Sequence, residues 1–173
     1  MSRRASVGAV LAGGIAVAAA LALPATATAA PVQCQAQGPQ ETVMMDEGGS
    51  SCLALSEDRG TAISTAWGAE AFANIAGDGT VGTAWAIDDS GGPDVQAGVI
   101  TGDGSNVHAY AIGTPGPGPA GQDTAAYIGT STRTDGFAFA AFGGEAVLAY
   151  GDPARCSGLA IVMTTQGSCA TVR

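Results

Sequence analysis

From Ser51 onward the chain repeats one phrase about every ten residues: a short run of alternating small and bulky apolar residues, closed by Gly or Asp. A period of two sends successive side chains to opposite faces of an extended backbone, so each phrase reads as a β-strand. Ala84-Trp85-Ala86-Ile87 and Ala109-Tyr110-Ala111-Ile112 show it most clearly, with alanines on one face and large groups on the other. Aligned on their punctuation, the phrases predict ten strands, at 52–56, 61–67, 70–75, 80–87, 95–100, 106–112, 124–128, 137–142, 146–150 and 158–163. Gly77-Asp78-Gly79, Gly102-Asp103-Gly104 and Thr134-Asp135-Gly136 separate them as turns, because Gly and Asp tolerate left-handed backbone.

Small residues cannot fill a wide core but suit closely approaching backbone layers, so the expected fold is all-β: a β-solenoid or narrow β-roll of about five two-strand coils. An antiparallel β-sandwich has the same strand spacing and is the alternative. Ala66 to Ala76 alone has the composition of a helix, but the surrounding Gly, Thr and β-branched residues favour strand.

Residues 1–29 read as a secretory signal peptide. Arg3 and Arg4 precede an apolar run from Val7 to Leu23, Pro24 ends it, and Ala27-Thr28-Ala29 offers small residues for cleavage. Residues 30–50 then form an N-terminal cap segment, irregular or a short strand, and residues 51–173 the repetitive β domain. Thr114 to Gly121, with three prolines, reads as a protruding loop. Loss of the leader leaves four arginines against 15 carboxylates, a net charge of −11, with no lysine anywhere. Such a chain is unsuited to nucleic acid and carries no further membrane span; a homo-oligomer or an envelope component is the expected association. The expected location is the medium or the cell envelope.

Four cysteines in an exported chain are read as disulfides, and they lie only near the two ends: Cys34, Cys52, Cys156 and Cys169. Three connectivities are possible. Pairing Cys34 with Cys52 and Cys156 with Cys169 pins both ends of a coil stack, where fraying begins, and is favoured on that ground.

No catalytic constellation stands out. His108 is the lone histidine and sits in an alternating strand, without a Gly-x-Ser-x-Gly elbow in the chain. A hydrolase built on it is one alternative. Calcium is another: hard cations take oxygen ligands, and Asp78, Asp88, Asp89, Asp94 and Asp103 lie in or beside turns, although the strict calcium-roll repeat is missing. The large residues Trp67, Phe72, Trp85, Tyr110, Tyr127 and Tyr150 are candidates for an aromatic stripe along one side of the stack. If the alanines face inward, that stripe needs a cover, and self-association is the simplest one.

The x-Ala-x-Ala-x-Gly phrasing at Ser105 to Gly113, Gly136 to Gly143 and Ala146 to Gly151 resembles the β-roll heads of trimeric autotransporter adhesins. The adhesins' regular repeat and coiled-coil stalk are missing, so display and trimerisation do not follow. Taken whole, the leader, the Cys34 and Cys52 pair around Asp46-Glu47, the Gly/Ala-rich centre and the Cys156 and Cys169 pair resemble a group of small secreted actinobacterial proteins. That resemblance implies export and a disulfide-capped β domain, and it assigns no activity. The expectation is a secreted, non-enzymatic structural or surface-contact protein.

Overall fold

The computed structural model describes residues 29–88, 94–102, 104–113 and 123–172. Among these there are twelve β-strands and no helix: β1 (Val32–Gln37), β2 (Glu41–Glu47), β3 (Ser50–Ser56), β4 (Thr61–Trp67), β5 (Glu70–Ile75), β6 (Val81–Ile87), β7 (Val95–Thr101), β8 (Asn106–Ile112), β9 (Thr124–Thr130), β10 (Asp135–Leu148), β11 (Arg155–Thr164) and β12 (Ser168–Thr171). Successive strands alternate between two walls. β4, β6, β8 and the first half of β10 pair in parallel to make an even wall; β3, β5, β7, β9 and the second half of β10 make an odd wall. The chain therefore winds as a β-roll of four and a half two-strand coils, and the antiparallel sandwich is set aside because its interior pairings are parallel.

Antiparallel pairing occurs only at the ends. β1 lies against β4 and β2 against β3 at the start of the roll, while β11 returns along β10 and is itself followed by β12. Free strand edges invite further pairing, and β2 blunts one of them with Glu41, Asp46 and Glu47. β10 is one strand where the sequence reading expected two. It turns the corner between walls at Phe142 and Gly143, both with left-handed backbone, φ 55° and 79°.

The alternation decides what lies inside. Ala84, Ala109 and Ala138 are in register on the even wall, and Ala71, Ala97, Ala126 and Ala146 on the odd wall; each is at most 3% exposed. Among the described residues no fully buried side chain is aromatic, the largest being Ile75 and Ile128. The walls are accordingly close. Cys34 on β1 and Cys52 on β3, one on each wall, reach across the interior to form a disulfide with their Cα atoms 5.8 Å apart. Where a bulkier inward residue does occur, its opposite number shrinks: a Cβ on Gly82 would lie 2.7 Å from Ile75 Cγ2. A buried methyl contributes about 0.8 kcal/mol and a buried leucine about 2 kcal/mol, so the continuous hydrogen-bonded ladder supplies much of the cohesion here.

One corner is lined with hydroxyls. Thr80, Ser105 and Thr134, each fully buried, precede β6, β8 and β10 in successive coils. Thr80 Oγ1 donates to the carbonyl of Ala76 at 3.1 Å or of Gly102 at 3.0 Å, and the Thr134 N–H donates to Ser105 Oγ at 3.0 Å. Short side chains that satisfy backbone groups let the chain turn without burying unpaired polar atoms.

The disulfides are Cys34–Cys52 and Cys156–Cys169, the pairing that end-capping favours. Ala66 to Ala76 is strand, turn and strand, not helix.

Candidate contact face

Because the alanines point inward, the even-numbered strands present their large residues outward together. Four rows run across the even wall. Thr65, Trp85, Tyr110, Phe139 and Ile161 form one, in register from β4 to β11. Ile63, Thr83, His108, Phe137 and Met163 form the next. Trp67, Ile87 and Ile112 form the third, which ends at Ala141, itself buried. In the fourth, Thr61 and Val81 lead to Asn106 and Asp135 at the margin. Trp67 is 43% exposed, Trp85 45% and Met163 52%, the behaviour of surface and not of core.

Charge separates this face from the rest of the molecule. Among the described residues its rows carry one carboxylate, Asp135, at the margin and 4.0 Å from the Arg133 guanidinium. On the β1 side it is bordered by Gln33, Gln35 and Gln37, all exposed. The odd wall is built differently. Glu70 and Glu145 stand in one of its outward rows, and Gln96 donates to Glu70 at 3.1 Å. Its two rings also lie down on the wall. A Cβ on Gly98 would meet the Phe72 ring at 2.1 Å, and one on Gly129 would meet the Tyr127 hydroxyl at 2.5 Å, so each glycine leaves a seat that an aromatic fills. Phe72 and Tyr127 are tilted neighbours with centroids 6.1 Å apart.

The six aromatics expected on one stripe are thus divided. Trp67, Trp85 and Tyr110 share the even wall; Phe72 and Tyr127 lie on the odd wall, with Tyr150 hydrogen-bonded to Tyr127 just beyond its last strand. Burial together with the charge and hydrogen bond of Tyr150 raises the Tyr127 pKa. Phe137, Phe139, Ile161 and Met163 complete the even face and were not nominated from sequence. Strand parity within the parallel coils, where alternate strands share a wall, is the signal that finds Phe137 and Phe139; Ile161 and Met163 come from β11, which returns antiparallel along β10 and which parity does not place.

His108 is half-buried in the middle of this face. It is stacked on Tyr110 with centroids 6.2 Å apart and planes 23° apart, and desolvation lowers its pKa below the usual 6.5. Its in-register neighbours are Thr83 and Phe137, so no carboxylate stands beside it in the ladder to orient it as a base. Trp85 and Tyr110 meet edge to face, 6.2 Å apart at 69°.

Of the cation candidates, Asp89 and Asp103 lie outside the described residues. Asp78 is exposed and bonded to Arg59 at 3.0 Å, whose hydrogen bonds and charge lower its pKa. Asp88 is buried, and its backbone N–H donates to the Trp67 carbonyl at 2.7 Å. Asp88, Asp94 and Glu70 border a pocket of about 200 Å³. Among the described residues no three His, Cys, Asp or Glu side chains converge as a ligand set. The described residues likewise contain no helix long and apolar enough to cross a membrane. Comparison with family models, with curated proteins and with solved structures returns no match to this chain.

Proposed function

We propose that this chain is an exported, non-enzymatic contact protein whose working surface is the outer face of the even wall. One observation carries the reading: an acidic chain, net charge −11 without residues 1–29, gathers both of its tryptophans onto a field whose rows hold a single carboxylate among the described residues, at the rim. Large apolar fields on soluble proteins are rarely left bare. Export is supported by the leader-like residues 1–29 and by two disulfides, which persist in oxidising compartments. The non-enzymatic reading draws support from the surroundings of His108, whose ladder partners are a threonine and a phenylalanine and supply no carboxylate to orient the ring.

Hydroxyl-radical footprinting tests it. Met163 and Trp85 report the even face, and Met44 on β2, 69% exposed, serves as reference. Met163 and Trp85 are expected to be shielded in the medium of exporting cells relative to dilute purified protein, with Met44 oxidised equally in both. Equal oxidation of all three in both settings overturns the proposal.

A further inference from the structure

We infer that the occupant of the even face is a second copy of this chain, packed face to face about a two-fold axis. This rests on the contact reading above and names the partner.

Area supports it. The apolar field covers five strands, β4, β6, β8, β10 and β11, and about seven residues along each of β4, β6 and β8. With about 4.8 Å between strands and about 3.3 Å per residue, the footprint is roughly 550 Å² per copy. Two copies bury about 1,100 Å², above the ~1,000 Å² that a specific interface needs and near the lower end of stable dimers. Side chains standing off the sheet raise this figure. The layout is also that of an interface, with an aromatic centre and a polar rim of Gln33, Gln35, Gln37, Asn106 and Asp135.

Charge selects the same arrangement. Two copies of net charge −11, without residues 1–29, repel wherever carboxylates meet, and the even face is where they can approach without that cost. A cationic partner would be drawn instead to the acidic turns and to Glu70 and Glu145 on the odd wall. A sugar chain would want rings sharing one plane, whereas Trp85 and Tyr110 are 69° apart. End-to-end growth is opposed by the antiparallel end strands and by the carboxylates of β2. β8 lies midway between β4 and β11, so the two-fold axis falls near Tyr110 and His108. Paired twisted sheets then cross at about 30°.

Sedimentation velocity of the oxidised protein, from nanomolar to high micromolar concentration, tests the inference, with Trp67 and Trp85 emission as a second readout because the chain has no other tryptophan. A monomer–dimer equilibrium with a dissociation constant on the order of micromolar is expected, with emission shifting to the blue as the dimer forms. Trp85→Lys is expected to weaken the dimer at least 30-fold, while Met44→Lys, the same charge change on β2, leaves it intact. Circular dichroism verifies that both variants fold. A monomer at every concentration overturns the inference, as does a dimer that survives Trp85→Lys with its emission unchanged. If Met163 and Trp85 are nevertheless shielded in the exporting cells' medium, the contact function stands with a different partner; if they are not, both fall.

Discussion

Removing the first disulfide isolates what the narrow end of the roll contributes. In the variant Cys34→Ala/Cys52→Ala, alanine enters two inward positions whose in-register neighbours are Ser64 and Ala71, residues of similar size, so no steric conflict follows. The residues bridged are 18 apart. Loop-closure entropy for that separation is about 11 cal/mol/K, or roughly 3 kcal/mol at 25 °C. Loss of two small buried sulfur atoms adds about 1 kcal/mol more. For a chain of this size the melting temperature falls by roughly 12 °C or more. Because each coil touches only its neighbours, the weakened end also opens by itself. Hydrogen exchange is expected to rise first in β1, β2 and β3 while β8 keeps its protection, and urea unfolding gives the total. A loss below about 1 kcal/mol, with β1 still protected, refutes the reasoning that the bridge holds the first coil.

Gly98→Ala puts a methyl where the Phe72 ring sits, 2.1 Å from its Cζ, and is expected to cost about 1–3 kcal/mol in urea unfolding; Phe72→Ala made in the same chain should recover part of that loss, because the clash has one partner. Ala109→Leu places a large side chain between fully buried Ala84 and Ala138 and should cost about 3 kcal/mol or abolish folding, read by the yield of monodisperse protein and its thermal melt. The dimer is expected to weaken about tenfold or more as the pH falls from about 7.5 to about 5.5, measured by sedimentation. The sign follows from His108: desolvation lowers its pKa below 6.5, so the uncharged ring is favoured at neutral pH and acidification charges a group beside the two-fold axis. Thr83 and Phe137, which face it from β6 and β10, and Tyr110, stacked on it, carry no compensating carboxylate, and Asp135 at the margin is paired with Arg133. His108→Gln should remove the pH dependence and leave the neutral-pH dimer. The same titration lowers monomer stability on acidification, since the unfolded chain takes up the proton first.

Alternation, punctuation and cysteine placement made the roll legible because a strand's two faces are written directly into a period of two. Ala84-Trp85-Ala86-Ile87 announces which side is buried without any knowledge of its neighbours. What sequence reading missed was long-range. β1 carries a clean alternation, Val32-Gln33-Cys34-Gln35-Ala36-Gln37, but its polar partners are glutamines, so the segment reads as a cap, irregular or a short strand, with nothing to show that it pairs with β4. β2 offers no alternation, since as an end strand nearly all its side chains meet solvent. Assigning aromatics to walls required counting strands and not reading any one of them: Phe72 and Trp85 look alike locally, yet β5 and β6 face opposite ways. The seat at Gly98 lies on β7, the strand next to that of Phe72 and 26 residues after it, whereas the seat at Gly129 lies on the same strand as Tyr127, two residues further on, so no shared spacing finds them.

The alanine-lined interior bears on temperature as well as on packing. Heat capacity rises with apolar surface exposed on unfolding and falls with polar surface. Here much of what is buried is backbone amide, and the apolar share consists largely of single methyl groups. The heat-capacity increment per residue should therefore lie below the usual 12–15 cal/mol/K, or about that range at most. A small increment lessens the curvature of stability against temperature, so this roll should lose little stability on cooling.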